Sequence, residues 1–177
     1  MSVFFQNKDI YLRALEPEDL DALYTWENDT RLWKNGAAIH PFSKFAIRQY
    51  LADSLQGIYQ TKQLRLMIVE KGSDIPAGTI DLYDFDPLHR RAGIGILVDE
   101  RFREKGYALQ ALACMEEYAF ERLKLHQLYA FVPEQNAASV ALFAKALYEK
   151  TGQLKNWLSA QNGFQDVAVM QKIHQEK

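Results

Sequence analysis

The sequence predicts an α/β fold built on a mixed, mostly antiparallel sheet that is flanked by helices. Three observations lead to this class. Short strand-like runs separated by turn residues fill the first half, strand and helix patterns alternate in the second half, and an Asn162-Gly163 pair separates two strand-like runs near the end. With 177 residues, 48% of them hydrophobic, the chain is long enough for one sizeable core, so we expect a single domain, 1–177.

The first half predicts an antiparallel meander with two helices beside it. Alternating apolar residues in 10–15 predict a strand, and EPEDLDAL then opens a helix with proline in its first turn. Ser43 suits the cap of a second helix, whose predicted apolar stripe is Ile47, Tyr50, Leu51 and Leu55. Turn sequences separate three further predicted strands, which are 64–69, 77–83 and 92–98. The stretch WENDTRLWKNG is predicted to be an irregular connection.

The second half predicts a crossover unit followed by a hairpin. Apolar residues recur every three or four positions between Gly106 and Leu123, which predicts a helix with one buried face. The short apolar strand 128–133 ends at a proline, and Asn136 precedes a helix with the stripe Val140, Phe143 and Leu147. The runs 154–159 and 167–173 flank the Asn-Gly pair and predict a terminal hairpin.

Composition and charge argue against several classes of function. The net charge is −2 with both signs interleaved, so we expect no nucleic-acid partner. Cys114 is the single cysteine, which excludes an intrachain disulfide and a cysteine-built zinc site, and we expect no metal. No apolar run approaches the roughly 20 residues that span a bilayer, so we expect no membrane partner. The start, MSVFFQNKD, lacks an export pattern, so we expect a cytoplasmic protein.

The stretch RFREKGYALQAL joins a strand to a helix and has the features of an anion site. A helix N-terminus leaves backbone N–H groups without partners, and Arg103, Gly106 and Ala108 supply a cation, a residue without Cβ and a small residue. The alternative is an ordinary charged loop before a buried helix. The preceding strand, AGIGILVD, contains glycines. If it splays away from LYAFVP, its unpaired backbone groups could bind an extended amide such as pantetheine.

Four segments resemble the GCN5-related N-acetyltransferases, especially the ribosomal-protein and spermidine acetyltransferase branch. They are LRALEPEDL, HRRAGIGILVDERFREKGYALQAL, VPEQNAASVALF and NGFQDVAVM. Within them, REKGYA matches the family's acetyl-CoA signature Q/R-x-x-G-x-G/A, with Ala108 at the last position. The resemblance implies a sheet with a splayed central strand pair, acetyl-CoA as cosubstrate, and acetyl transfer to a primary amine by direct attack in a ternary complex.

The resemblance also implies which residues contact acetyl-CoA. Main-chain groups of Ile96, Leu97 and Val98 would line the cleft, and Asn136 would contact pantetheine while also capping its helix. Ser139, Phe143 and Lys145 are assigned to the same side, although a lysine there could simply be solvated. The pyrophosphate would be wrapped by Arg103, Glu104, Lys105, Gly106, Tyr107, Ala108 and Leu109.

Proton transfer is where the chain departs from this family. Phe143 stands where a general-acid tyrosine is expected, and Gly93 stands where spermidine-type enzymes often carry a glutamate, which weakens a polyamine assignment. Tyr148 could serve as the acid if the local chain is shifted, with a core aromatic as the alternative. Further candidates for proton transfer are His89, Tyr83, Asp81 and Tyr129. We place His89 first because histidine has a suitable unperturbed pKa for a relay, with a surface histidine as the alternative.

The acceptor and the turnover itself stay open at this level. Candidate acceptor-binding residues are Glu27, Asp29, Asp81 and Tyr83. Polyamines, aminoglycosides, amino sugars and protein N-termini all fit an amine acceptor. The loss of the expected acid and base groups also fits an acyl-CoA-binding or regulatory module of the same fold, and a third reading is an interaction domain without CoA. Exposed strand edges are compatible with a homodimer.

Overall fold

The computed structural model describes residues 5–33, 40–160 and 162–175. Its strands are β1 Ile10–Ala14, β2 Leu64–Glu70, β3 Pro76–Asp86, β4 Arg91–Val98, β5 Gln127–Pro133, β6 Glu149–Ala160 and β7 Gly163–Ile173. Its helices are α1 Leu20–Glu27, α2 Thr30–Trp33, α3 Lys44–Asp53, α4 Ile58–Thr61, α5 Tyr107–Glu117 and α6 Ala137–Lys145.

The seven strands form one sheet in the order β1-β2-β3-β4-β5-β7-β6. The strands β1 to β4 form an antiparallel meander, and β5, β7 and β6 form a second antiparallel set. These two sets are joined by the parallel pair β4–β5, whose connection passes through α5. The predicted fold class, a mixed and mostly antiparallel sheet with flanking helices, is confirmed.

Helices cover both faces of the sheet, and the buried residues form two clusters, one on each face. On one face, α5 presents Ala111, Leu112 and Met115 to the larger cluster, which takes its strand residues from Ile80, Ile94 and their neighbours. On the other face, α1 and α3 bury Leu23, Trp26 and Ile47 against Met67 and Val69. Successive strand residues point to opposite faces, so residue parity tells which helices a side chain meets.

Helix ends account for the stripe positions that were predicted wrongly. Leu55 is 87% exposed because α3 ends at Asp53, so Leu55 lies beyond the buried face. Leu147 is 76% exposed because α6 ends at Lys145, and Leu147 adopts a left-handed φ of 66°. Local apolar spacing does not specify where a helix stops, which explains both errors.

Other element boundaries moved by a few residues. The predicted helix from Gly106 to Leu123 is α5 followed by one π-helical turn, Tyr118–Arg122. The terminal hairpin is longer than predicted because β6 begins at Glu149. The predicted irregular connection WENDTRLWKNG contains the end of α1 and the short α2, and its residues 34–36 lie outside the described residues.

The single cysteine lies on α5. Cys114 is 2% exposed in the core, on the face that α5 turns toward the sheet. Among the helices that the structure describes, none combines the length and the apolarity that a bilayer crossing requires.

Candidate functional site: a splayed strand pair

The parallel strands β4 and β5 separate after three residue pairs. The paired residues are Arg91 with Gln127, Ala92 with Leu128, and Gly93 with Tyr129. Beyond them β4 stays paired with β3 as far as Val98, and β5 stays paired with β7 as far as Pro133. The two strands therefore diverge as edges of two intact ladders, and the predicted splay is confirmed. We call the gap between them the wedge, and its apex is the point just past Gly93 and Tyr129.

The open end of the wedge meets the N-terminus of α5. Gly106 is the N-cap residue, it has φ of 78°, and no side chain caps the first turn. The orphan backbone N–H groups of this turn are thus left for another acceptor. A Cβ added at Gly106 would meet nothing within 4 Å, so the left-handed φ, and not crowding inside the protein, is what requires glycine.

The loop before α5 is anchored by side chains that face away from the helix end. The Tyr107 hydroxyl donates to Glu70 Oε1 at 2.5 Å, and Lys105 Nζ lies 3.1 Å from the same oxygen. The Tyr107 and Ser73 hydroxyls and the Lys105 ammonium lower the pKa of Glu70 to about 2. The Glu70 hydrogen bond is also the main cause that raises the pKa of Tyr107 to about 12. Predicted phosphate contacts by the side chains of Lys105 and Tyr107 compete with this anchor.

The remaining predicted cofactor residues lie along the wedge or on its rim. Arg103 and Glu104 are exposed, and Arg103 donates from Nε to the Val98 carbonyl at 3.4 Å. Ile96, Leu97 and Val98 are half-buried on the β4 wall, and Ala108 and Leu109 occupy the first turn of α5.

The β5 wall leads into α6, whose N-terminus differs from that of α5. Asn136 caps α6 by accepting from the Ser139 N–H at 3.2 Å, which confirms its capping role. Lys145 is exposed at the far end of α6.

Phe143 and Tyr148 are both buried in the core, with their rings edge to face at 5.0 Å. Burial raises the pKa of Tyr148, and its hydroxyl lies near Glu116, a residue of α5. The core-aromatic alternative for Tyr148 therefore fits its position, since the core that contains it lies on the α5 face of the sheet.

His89 lies outside the wedge. It is exposed in the turn between β3 and β4, where its backbone N–H donates to Asp86 Oδ1 at 2.9 Å. The wedge opens at the other end of β4, so the structure does not bring His89 together with the cofactor residues.

On the face of the sheet toward α1 and α3, β2 and β3 carry a buried ion cluster with α1 that the sequence reading missed. Arg65 on β2 donates to Asp81 Oδ1 at 2.5 Å and to Glu27 Oε1 at 2.7 Å, and its guanidinium lies 5.2 Å from the centre of the Tyr50 ring. Burial raises the pKa of Asp81, and Arg65 opposes that rise. An arginine inside the apolar run LRLMIV was the available signal, because a buried cation requires carboxylate partners.

Asp29 is also engaged by an arginine. Hydrogen bonds from Arg31 lower the pKa of Asp29, and Arg31 extends the contact to Glu100 at 3.0 Å. Of the four predicted acceptor-binding residues, the three acidic ones are thus paired with arginine, and their charge toward an approaching cation is largely offset.

Tyr83, the fourth predicted acceptor-binding residue, makes its contacts through its aromatic ring. It pairs with Gly93 across β3 and β4, and a Cβ added at Gly93 would lie less than 3.0 Å from three atoms of its ring. The ring therefore lies directly over Gly93. The ring also packs edge to face against the ring of Tyr129 on β5, with centres 6.1 Å apart, so Tyr83 reaches from β3 across β4 to β5.

A cavity of about 550 Å³ adjoins the open end of the wedge. The α1–α2 region forms one side and the end of β4 with its following loop forms the other. Its lining includes Trp26, Asp29, Leu97, Val98 and Arg103. Trp26 Nε1 donates to Asp99 at 2.8 Å, which fixes α1 against the end of β4 and holds this cavity in shape.

A parallel strand pair that splays toward an uncapped helix N-terminus suits an extended, phosphate-bearing cosubstrate such as acetyl-CoA. Comparison with known proteins agrees. The chain belongs to the acetyltransferase (GNAT) domain family, whose model matches residues 9–147.

The sequence identity to individual relatives is low. The chain is 27% identical to the spermidine N(1)-acetyltransferase of Escherichia coli (strain K12) over 148 residues, which cover 82% of this chain and 75% of the relative. It is 25% identical to the Vibrio cholerae enzyme of that name over 168 residues, 93% of this chain and 92% of the relative. A solved structure of spermidine N-acetyltransferase from Vibrio cholerae, in complex with CoA and spermine, superposes with a TM-score of 0.85 at 22% identity, covering 94% of this chain and 96% of that one.

Proposed function

We propose that this acetyltransferase acts on a primary amine of a small molecule or of a peptide or protein N-terminus, by direct attack in a ternary complex. The observation that carries the proposal is the wedge, which ends at Gly93 and opens toward Gly106. A thioester seated at the apex and an amine arriving beside it react as neighbours, which is worth several kcal/mol over reaction in dilute solution.

We assign the parts of acetyl-CoA to the parts of the wedge. The pyrophosphate occupies the orphan N–H groups of α5, and pantetheine runs along Ile96–Val98 as a pseudo-strand. The acetyl group then lies toward the apex, where a backbone N–H of β4 polarises its carbonyl. Asn136 and Ser139, at the end of the β5 wall, would contact the pantetheine from the other side. Lys145, at the far end of α6, would reach only a peripheral phosphate.

The acceptor enters from the face covered by α1 and α3, because α5 and the larger core fill the other face. Several relatives are named for spermidine. In this chain, however, Arg65 offsets the charges of Glu27 and Asp81, and Gly93 carries no carboxylate. We therefore propose an acceptor with few positive charges, and not a polyamine.

The whole chain, 1–177, acts as one domain in this proposal, which the continuous seven-stranded sheet supports. We also propose that it works in the cytoplasm. A homodimer stays a proposal, since the edge strand β6 offers backbone groups for a second copy.

Two measurements on the full chain test the proposed function. Calorimetric titration with acetyl-CoA should show binding, and saturation at 100 times the dissociation constant should add about 2.7 kcal/mol to the free energy of unfolding. Release of free thiol is then followed with an amino-terminal peptide, glucosamine, kanamycin and spermidine. Turnover of the peptide or of glucosamine is expected. Binding without turnover of any amine would leave an acyl-CoA-binding module, and no binding would overturn both.

A further inference from the structure

Tyr83 places a phenol hydroxyl at the apex of the wedge. The last closed pair of the parallel ladder joins Gly93 to Tyr129, and the next pair on the same face of the sheet, had the strands stayed together, would have been Gly95 with Phe131. The ring of Tyr83 covers Gly93 and lies 3.8 Å from a Cβ position at Gly95, and its hydroxyl lies near the Phe131 backbone. The hydroxyl therefore occupies the first gap in the ladder.

The approach of the ring to this position requires glycine at position 93. Tyr83, Gly93 and Gly95 all lie on the α1 and α3 face, because paired residues of antiparallel strands share a face. Any side chain at Gly93 would exclude the ring, as the sub-3.0 Å contacts of an added Cβ indicate. Because Gly93 has no side chain, the Tyr83 ring can cross β4, and its hydroxyl lies on the side from which the acceptor enters.

Three other residues considered for proton transfer lie elsewhere, and Asp81 is engaged by Arg65. Phe143 has no proton to give, Tyr148 is buried in the core on the α5 face, and His89 is exposed in the turn before β4. Tyr83 differs from these three because its hydroxyl is at the point where pantetheine, extended from α5 along β4, would end.

We infer that Tyr83 is a catalytic residue that carries a proton from the attacking amine to the departing CoA sulfur. The lone pair of a neutral amine forms the new C–N bond at the thioester carbonyl carbon, and the C–S bond breaks with its electron pair on sulfur. The sulfur takes the hydroxyl proton of Tyr83, and the phenol oxygen takes the proton that the acylated nitrogen releases. The products are an amide and CoA thiol, and Tyr83 is unchanged. This inference rests on the proposed acetyl transfer.

The environment keeps Tyr83 protonated between turnovers. Burial is the main cause that raises the pKa of Tyr83, and the hydrogen bond with the Phe131 backbone opposes it. A free phenolate is therefore unfavourable here, and transferring the two protons together avoids forming one. The edge-to-face contact with the ring of Tyr129 holds the phenol in place beside the wedge.

The test compares Tyr83→Phe with the wild-type protein, using the panel amine that wild type turns over fastest. Removing the hydroxyl should lower kcat by about 100-fold or more, the range of general acid–base catalysis. KM for acetyl-CoA and the calorimetric dissociation constant should change by less than about 3-fold, because binding does not use the proton. Tyr118→Phe is the matched control, since Tyr118 lies in the π-helical turn after α5 and packs against the larger core, on the other face of the sheet.

A second variant separates proton transfer from simple packing. Difluorotyrosine at position 83 keeps the ring and hydroxyl but makes the hydroxyl more acidic, so kcat should persist at neutral pH and fall at a lower alkaline pH than in wild type. Wild-type turnover with an unaffected kcat in Tyr83→Phe, or an unshifted pH profile in the fluorinated protein, would overturn the inference alone. Absence of wild-type turnover would overturn the proposed function and this inference with it.

Discussion

The two ends of the wedge are built in different ways. At the open end, the donors are backbone N–H groups of α5, and the residues that shape them are consecutive in sequence, from Arg103 to Leu109. At the apex and on the acceptor face, the groups are side chains from separate strands and a helix, such as Arg65 with Asp81 and Glu27. The first kind of site leaves a local sequence motif, whereas the second exists only once the sheet has formed.

This contrast also separates binding from selectivity. Backbone donors at a helix end accept any suitably placed phosphate and vary little with side-chain identity. A buried cluster of two carboxylates and one guanidinium changes its net charge with a single substitution. Variation at the acceptor face can therefore change the substrate while the cofactor end is kept, and the following variants probe the two ends separately.

Gly106→Glu should have the largest effect and should abolish acetyl-CoA binding. The new side chain points into space that is open in the protein, where we place the pyrophosphate, and it adds a like charge. Calorimetric titration measures the loss. Gly72→Glu is the matched control, because Gly72 also has a positive φ of 89° and an open Cβ direction. Equal losses of stability with unequal losses of binding are expected, and binding by Gly106→Glu would refute the assigned pyrophosphate site.

Arg65→Met should destabilise the protein by about 3 kcal/mol, because it leaves Asp81 and Glu27 largely buried without their cation. Denaturant unfolding measures the change, and the exposed Arg122→Met serves as the control. The same variant should lower KM for spermidine in thiol-release assays, since two carboxylates then face the acceptor uncompensated. A spermidine KM that stays the same or rises would show that this cluster does not select against polyamines.

Gly93→Ala should cost about 1–3 kcal/mol, the range for overpacking a buried site. The added methyl group collides with the Tyr83 ring, whereas at Gly95 the nearest atom is 3.8 Å away, so Gly95→Ala should be tolerated. Thermal unfolding of both variants makes the comparison. Adding Tyr83→Ala should remove most of the penalty of Gly93→Ala, and independent, additive losses would mean that the ring does not need this glycine.

Glu70→Gln should give the smallest effect, visible as a change in pH dependence. The pKa of Glu70 is lowered to about 2 in the folded state from an ordinary value of 4.5. Its ionised form is therefore favoured by folding, and this contribution is complete above about pH 4.5 and lost as pH falls toward 2. The melting temperature of wild type minus that of Glu70→Gln, followed from pH 6 to pH 2, should shrink across this window. A constant difference would contradict the anchor.

Most of the fold could be predicted from local patterns. Alternation identified β1, turn sequences delimited β2 to β4, the three- and four-residue spacing identified α5, and Asn162-Gly163 identified the hairpin turn. The resemblance supplied the splay. The ends of α3 and α6 were predicted wrongly, as Leu55 and Leu147 show. Helix ends depend on backbone conformations that apolar spacing does not report.

The site divides in the same way. The uncapped turn at Gly106 and the cap at Asn136 follow from residue types at fixed spacings. The role of Gly93 could not be read in this way. The family resemblance suggested only that a glutamate is missing at this position. The pairing of β3 with β4 shows that the ring of Tyr83 occupies the space that a side chain at position 93 would take. Strand register brings Tyr83 and Gly93 together although they are distant in sequence, so no local sequence pattern identifies their contact.

The position of Cys114 simplifies the chemistry by which these variants can be followed. The sequence has one sulfhydryl group, and the folded core shields it on the inner side of α5. A water-borne disulfide reagent such as Ellman's should therefore count each coenzyme molecule freed by catalysis with almost no background from the protein. In denaturant the same colour change would instead report the fraction of unfolded protein, because unfolding exposes Cys114. One reagent can therefore measure both turnover and unfolding.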